Sequence, residues 1–144
     1  MKTCYKEGKC VSDFNKQIIE EFRANGGKVG GYFANSTLLL LHTTGARSGK
    51  ERVNPVVTFE DGDRLVIVAS KGGAPSHPDW YYNILANPVV GVEYGDEEFQ
   101  ARATITEEPE RTELYERMEG ELASFSEYKR KAGRVIPVIT LSRL

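Results

Sequence analysis

Apolar residues recur at helical spacing near the start of the chain. Val11, Phe14, Ile18 and Phe22 lie three or four positions apart among polar residues, and Gly26 follows them as a helix stop. This spacing predicts an amphipathic helix over residues 11–23. Its apolar face either packs on the core, as most such faces do, or contacts a membrane surface.

Short apolar runs and alternating patterns predict strands in the rest of the chain. Residues 37–42 are almost continuously apolar but too few for a buried helix, so they predict a strand covered on both faces. Asp61-Gly62 and Gly95-Asp96 each separate two strand-like runs and predict two tight antiparallel hairpins. The predicted strands are residues 37–42, 52–59, 64–69, 89–94, 99–105 and 135–141.

Prolines and two further helices complete the pattern. Because proline cannot donate to a strand ladder, Pro55 predicts an edge or a bulge in its strand, and Pro137 predicts that the last strand lies at an edge. Helices are predicted over 78–86, which starts with proline, and over 109–122, which has an acidic first turn and an apolar stripe. Five or six antiparallel strands with three helices outside them are more typical of a small closed barrel than of a doubly wound sheet. We therefore expect a mainly β fold with flanking helices.

Length and composition restrict the class of protein. The chain has 144 residues, which we expect to form one domain over 1–144 with a polar, flexible tail at 1–10. Its 40% hydrophobic and 28% charged residues are typical of a globular protein, and no run approaches the ~20 apolar residues of a membrane span, so we expect a cytoplasmic protein. A net charge of -2, with one local basic cluster, argues against nucleic-acid binding.

Cysteine and histidine are too sparse to predict a metal site. Cys4 and Cys10 both lie in the tail, and in a cytosolic protein we do not expect them to form a disulfide. The chain has two histidines, His42 and His77, which are far apart in sequence. We therefore expect no bound metal.

A cationic segment with glycines follows the most apolar run. Residues 43–52 hold two glycines, three hydroxyl side chains and three cations. Glycine lets backbone N–H groups turn toward one point, and arginine adds a planar fork suited to phosphate or carboxylate. This composition predicts an anion-binding loop, and the alternative is a connecting loop with solvated charges. The spacing from Gly45 to Gly49 does not match a P-loop, and no dinucleotide fingerprint follows a strand, which argues against nucleotide hydrolysis and a nicotinamide site.

A second unusual segment runs over residues 69–83. It begins where an apolar strand ends, passes through a glycine pair, and enters a helix that carries the only tryptophan, Trp80. Backbone N–H groups at a strand end can face the polar edge of a flat heterocycle, and Lys71 can neutralise negative charge there. Trp80 and Tyr81 are more typical of core anchors, and His77 is more typical of a loop or cap than of a catalyst.

Together the two segments resemble the deazaflavin-dependent nitroreductase family, enzymes that use coenzyme F420 on a split β-barrel similar to the FMN-binding split barrel. The resemblance covers nearly the whole chain and depends on the order and spacing of several short motifs. These motifs are Gly26-Gly27, Gly45-Ala46-Arg47-Ser48-Gly49, Arg52-Val53-Asn54-Pro55, Ala69-Ser70-Lys71-Gly72-Gly73, His77-Pro78 with Trp80-Tyr81 and Asn83, Ala86-Asn87-Pro88, and Arg134-Val135-Ile136-Pro137-Val138.

The resemblance implies a binding site for F420. This coenzyme is a planar deazaflavin joined through ribitol and a phosphodiester to an acidic oligoglutamate tail, so it needs a flat slot and several cations. The residues implied at the phosphate and tail are Arg47, Ser48, Gly49, Lys50 and Arg52. Those implied along the ribitol and ring are Asn54, Pro55 and Val56, and those implied at the ring edge are Ala69, Ser70, Lys71 and Gly72.

The resemblance also implies a reaction. Reduced deazaflavin donates a hydride, and its acceptor must be electron-poor, such as a quinone, an activated enone or a nitroaromatic compound. Tyr128 corresponds to a substrate-side tyrosine of the family, implied to orient the acceptor or give it a proton; its alternative role is to close the barrel mouth as a half-buried aromatic residue. Two further tyrosines of the drug-activating member correspond to Leu122 and Phe125, which argues against reduction of bicyclic nitroimidazoles.

Other functions remain open from the sequence. A non-catalytic carrier of F420, or a slot for flavin, haem or a fatty acid, is compatible with the same barrel because fold does not fix function. Hydrolysis lacks support, since no hydroxyl or thiol has an obvious histidine–acid pair. We expect a monomer or homodimer, with peripheral membrane contact by the N-terminal helix left open.

Overall fold

The strands form the barrel that their pattern predicts. The computed structural model describes residues 10–31 and 36–144, without the side chains of residues 10–14. In this part of the chain six antiparallel strands close in the order β1-β2-β3-β6-β5-β4. They are β1 (Leu38–Thr44), β2 (Glu51–Asp61), β3 (Arg64–Val68), β4 (Val89–Tyr94), β5 (Glu97–Ile105) and β6 (Val138–Arg143). Both predicted hairpins form, with two-residue loops at Gly62-Asp63 and Gly95-Asp96.

Helices flank the barrel. Within the described residues they are α1 (Cys10–Ala24), α2 (Asp79–Ala86), α3 (Glu110–Glu121) and α4 (Ser124–Ala132), with a 3-10 turn at Lys71–Gly73. The prediction of three helices was wrong, because it omits α4. That segment has few apolar residues, and its buried Phe125 and Ala132 are fixed by tertiary contacts rather than by a local periodic pattern.

β1 is covered on both faces, which confirms the prediction from its apolar run. Leu39 and Leu41 point into the barrel interior, while Leu38 and Leu40 contact α1 on the outside. Phe22 of α1 is 1% exposed in that outer cluster, and burying such a side chain stabilises the fold by about 1.5–3 kcal/mol. The described apolar face of α1 therefore packs on the core.

A second outer cluster joins α3 and α4 to the barrel. Leu114, Met118 and Phe125 pack against Val66 of β3. The Tyr115 hydroxyl donates to the Phe125 carbonyl over 2.7 Å, which ties the two helices together. This cluster fixes the position of α4, the helix that carries Tyr128.

The two strand prolines have different outcomes. Pro55 lies in a stretch of β2 that, within the described residues, pairs with β1 and not with β3, so it has the open side that was predicted, although β2 as a whole pairs with both strands. The edge prediction for Pro137 was wrong: β6 pairs with both β3 and β5. Pro137 precedes β6 and cannot interrupt its ladder, and its carbonyl accepts from Ala69 N over 3.0 Å.

Some predictions about the N-terminus fall outside the described residues. These are the tail, Cys4, and the side chains of Cys10, Val11 and Phe14. None of the helices in the described chain has the length and apolarity needed to cross a bilayer.

Candidate functional site

An open cavity of about 1250 Å³ lies between α1, the loop after β1, the start of β2 and α2. Small-molecule pockets typically measure ~300–1,000 Å³, so this space can hold a large ligand. Four of the predicted cofactor residues lie in its wall: Arg47, Ser48, Arg52 and Asn54. The wall contributed by α1, which includes Lys16, Ile19 and Arg23, was missed by the sequence analysis because it depends on how the helix docks.

The loop at residues 45–50 is closed by its own hydrogen bonds. Gly45 N donates to the Lys50 carbonyl over 2.8 Å, and Gly49 N donates to the Gly45 carbonyl over 3.0 Å. The Ser48 hydroxyl accepts from Lys50 N over 3.1 Å. A Cβ atom at position 45 would lie 2.5 Å from Ser48 Oγ and 3.3 Å from the Lys50 carbonyl oxygen, so a larger residue there would displace the Ser48 hydroxyl from its present position. The loop therefore keeps a fixed shape and projects residues 46–48 outward.

Asn83 anchors this loop to α2. Its side chain is buried, donates to Thr43 Oγ1 over 3.1 Å, and accepts from Ala46 N over 2.9 Å. Sequence analysis included Asn83 in a motif but gave it no role. The signal that could have found it is a polar residue on the buried face of a short apolar helix.

The loop concentrates positive charge without acid partners. Within the described residues, Arg47, Lys50 and Arg52 have no carboxylate oxygen within 4.0 Å, whereas Arg64 and Arg117 both pair with Asp61. The backbone N–H groups of Arg47 and Ser48 also lack an acceptor in the part of the chain that is described. Cations and N–H donors that lack a partner among the described residues, placed on one loop, are the groups that an anion-binding site uses. Lys50 and Gly49 belong to this loop but not to the cavity wall.

The segment after β3 forms the second part of the site. Lys71, Gly72 and Gly73 adopt φ values of 50°, 64° and 87°, three successive left-handed residues. The Lys71 side chain is exposed, with Nζ 3.4 Å from Ser76 Oγ. Ala69 and Val56 lie in the barrel core and Ser70 is also buried, so these three predicted residues can shape a site only from beneath it.

The two parts lie at opposite ends of an open strand edge. Residues 58–61 of β2 pair with β3, while residues 51–57 pair with β1 alone within the described residues 10–31 and 36–144. The cationic loop enters β2 at one end of this open stretch, and β3 gives way to the Lys71–Gly73 turn at the other. Five residue steps from Arg52 to Val57 span about 17 Å. A ligand that contacts both parts must be elongated, with an anionic group toward one end.

Tyr128 lies beside the turn rather than in the cavity wall. A Cβ atom at Gly73 would meet Tyr128 Cα at 3.1 Å, so α4 packs directly on the turn. The Tyr128 ring is half-buried and packs edge-on against Phe125, with centroids 5.1 Å apart. The structure therefore brings the predicted acceptor-side tyrosine next to the predicted ring-edge residues.

Arg134 organises the loop that contains the turn, and sequence analysis gave it no role. Its Nη2 donates to the carbonyls of Ala69, Ser70 and Ser76 over 3.1, 3.2 and 2.9 Å. Its Nε donates to the Ala74 carbonyl over 3.1 Å. These contacts are between distant parts of the chain and leave no periodic signal.

His77 completes the Arg134 contacts as an acceptor. Arg134 Nη1 donates to His77 Nδ1 over 2.9 Å, which requires the neutral imidazole. Burial, and then the positive charge of Arg134, lower the pKa of His77 below its ordinary value of 6.5. His77 also packs against Tyr81, with ring centroids 4.5 Å apart. These contacts agree with the prediction of a loop residue rather than a catalyst.

We expect His77 to make stability depend on pH. Above pH 6.5 the imidazole is mostly neutral in both the folded and the unfolded state. As the pH falls toward the lowered folded-state pKa, only the unfolded state binds the proton. The free energy of unfolding therefore decreases, by at most about 1.4 kcal/mol per pH unit. Urea unfolding at pH 7.5, 6.5 and 5.5 measures this. His77→Asn, which keeps an acceptor near Nδ1, should lose stability less steeply; parallel pH profiles for the two proteins would contradict this assignment.

α1 is fastened to the barrel by a charged cluster. Arg23 donates twice to Glu93, over 3.0 and 2.7 Å, and the hydrogen bond from Arg23 holds the pKa of Glu93 below its ordinary value. His42 lies between Glu93 and Glu51, at 2.6 and 3.0 Å. Ligand atoms of His42, Glu93 and Glu98 lie within 4.8 Å of one another, but Arg23 already neutralises Glu93. The cluster thus holds the helix that forms one wall of the cavity.

Comparison with known families decides the identity of this barrel. The family model described as F420H(2)-dependent quinone reductase matches residues 15–143. The chain belongs to this family. The protein is therefore an F420-dependent oxidoreductase, and F420 is its hydride donor. The family resemblance and the split-barrel prediction are both confirmed.

Individual relatives agree with this assignment. An F420H(2)-dependent quinone reductase of Mycobacterium tuberculosis is 35% identical over 126 residues, which cover 85% of each protein. A solved F420-H2 dependent reductase is 39% identical with a TM-score of 0.68, covering 73% of this chain and 93% of that one. A solved domain-swapped dimer is 33% identical with a TM-score of 0.69, covering 92% and 100%.

The residues of this reductase fit the cofactor. F420 carries its phosphodiester and acidic tail at one end of the ribitol and its ring at the other. The loop cations, which have no carboxylate partner in the described part of the chain, suit the anionic end, and the open edge of β2 gives the length between the two ends. The site therefore matches the cofactor in the position of its positive charge as well as in its length.

Proposed function

We propose that this reductase transfers a hydride from reduced F420 to a quinone. The observation that carries the proposal is the open edge of β2, with a cationic loop at one end and the Lys71–Gly73 turn beside α4 at the other. The names of the family and of its relatives support a quinone as the acceptor. An activated enone or a nitroaromatic compound is the alternative, since either presents an electron-poor centre.

The cofactor side of the proposal assigns the residues in order along β2. Arg47, Ser48, Gly49 and Lys50 bind the phosphate through side chains and backbone N–H groups, and Arg52 binds the phosphate or the tail. Asn54 and Pro55 line the ribitol and ring, and Val56 supports them from the barrel core. Lys71 and Gly72 face the ring edge, with Ala69 and Ser70 buried beneath.

The acceptor side of the proposal centres on Tyr128. When bound, reduced F420 supplies a hydride from its ring carbon. The Tyr128 hydroxyl orients the acceptor or gives it the proton that completes reduction. One side of its ring packs on apolar residues, because Phe125, Leu122 and Val57 belong to the same cluster. A flat apolar acceptor such as a quinone suits these surroundings.

Oxidation of reduced F420 by the purified protein tests the function. Reduced F420 and menadione are mixed with the protein under low oxygen, and the absorbance of oxidised F420 is followed. We expect turnover that requires both protein and quinone, and slower turnover with an enone or a nitroarene. Tight binding without oxidation in any of the three classes would contradict the proposal and favour a carrier.

A further inference from the structure

Among the described residues, the partners of the Arg134 guanidinium all lie in one loop and include no carboxylate. They are five acceptors in residues 69–77, and four of them are backbone carbonyls. By contrast, Arg64, Arg111 and Arg117 each pair with an acidic side chain. Charged hydrogen bonds to several carbonyls fix backbone geometry strongly, because each carbonyl dipole is held toward one point.

The loop needs such support because its backbone is strained. Lys71 is the only non-glycine residue with positive φ among those described, and it is followed by two glycines that also have positive φ. A side chain in the left-handed region costs free energy, so this conformation persists only where surrounding contacts enforce it. Arg134 supplies these contacts from one side and α4 supplies them at Gly73.

Backbone polar groups of Ala69 and Ser70 also have hydrogen-bond partners. Ala69 N donates to Pro137, and the Ala69 carbonyl accepts from Arg134. Ser70 O accepts from both Gly73 N and Arg134. Arg134 therefore sets the direction in which the chain leaves β3, and with it the place of Lys71 and Gly72.

We propose that Arg134 is a positioning residue for the half of the site that receives the deazaflavin ring. It acts through residues 69–77 and does not itself contact the cofactor. The inference depends on the proposed function in placing the ring beside Lys71 and Gly72. It goes further because it assigns the positioning of the residues that contact the ring to one side chain, that of Arg134.

Two ligands distinguish this role from general stabilisation. One is F420, and the other is the deazaflavin with ribitol but without phosphate and tail. Arg134→Met and Arg134→Lys are compared with wild type, with Arg47→Met, and with Arg102→Met as the matched control. Arg102 is an exposed β5 residue that makes no ion pair among the described residues. Fluorescence titration gives each Kd, and hydrogen exchange gives the local protection.

We expect Arg134→Met to weaken binding of both ligands by the same factor, about tenfold or more. Arg47→Met should weaken the binding of F420 but not that of the shorter ligand, because the shorter ligand has no anionic group. Arg134→Lys keeps the charge but not the planar fork, so it should weaken the binding of both ligands by about threefold. This variant remains a test if the methionine variant does not fold. Exchange should become faster in residues 69–77 of the Arg134 variants and stay unchanged in β1 and β4.

Three results would overturn the inference. One is binding of both ligands by folded Arg134→Met within twofold of wild type. Another is faster exchange throughout the barrel, which would mean that Arg134 only stabilises the fold. The third is a wild-type protein that binds neither ligand, which would overturn both the proposed function and this inference. If wild type binds both ligands and the Arg134 variants bind them equally well, only the role of Arg134 is overturned.

Discussion

Replacing Arg47 and Arg52 together with methionine should lower the affinity for F420 by at least about a hundredfold. Each charged hydrogen bond contributes about 1.5–3 kcal/mol, and both arginines lie in the cavity wall without an acid partner among the described residues. The affinity of wild type should fall as salt is raised, and this dependence should largely disappear in the double variant. Fluorescence titration at two salt concentrations measures both effects.

A control for net charge accompanies this variant. Lys28→Met with Arg102→Met removes the same two charges from exposed positions outside the cavity wall. It should bind F420 as wild type does, with the same salt dependence. Equal losses in the two double variants would mean that overall charge, and not the loop at 45–50, attracts the cofactor.

Tyr128→Phe should lower kcat for quinone reduction by about a hundredfold and leave the Kd for F420 unchanged. Loss of a positioned proton donor typically costs ~10²–10⁴-fold in rate. The substitution keeps the ring, so the packing of Tyr128 on Phe125 and of α4 on Gly73 should persist. Steady-state kinetics with menadione, together with a binding titration, separates the two quantities.

Tyr81→Phe is the matched control for Tyr128→Phe. Tyr81 is also half-buried and packs against His77, but it is not part of the proposed acceptor side. Its loss of the hydroxyl should change kcat by less than about twofold. If kcat is unchanged in Tyr128→Phe as well, the hydroxyl has no role in the reaction and Tyr128 is only an aromatic residue that closes the barrel.

Much of the fold is predictable from the sequence because the strands carry local signals. β4 has the predicted bounds, and the second hairpin turns at the predicted Gly95-Asp96 pair. The first hairpin turns at Gly62-Asp63, one residue after the predicted Asp61-Gly62 pair. α4 was missed because it is polar and short, and its place depends on Phe125 packing under α3. Pro137 was misjudged because proline next to a strand and proline within one give the same local signal.

The site is predictable where it is contiguous in sequence. The loop at 45–50 combines glycines, hydroxyls and cations within one turn, so its composition alone indicates an anion site. Asn83, Arg134 and the α1 wall of the cavity come from distant segments, and their roles depend on tertiary hydrogen bonds and docking. Nothing in the local pattern around Arg134 indicates that its guanidinium lies inside the 69–77 loop.

A crystal structure of the protein with bound F420 tests the central claim most directly. We expect the phosphate at Arg47, Ser48 and Gly49, the ribitol along the open edge of β2, and the ring beside Lys71 and Gly72 within reach of Tyr128. Cofactor bound elsewhere on the barrel, with Arg47 and Lys71 both directed into solvent, would contradict the account.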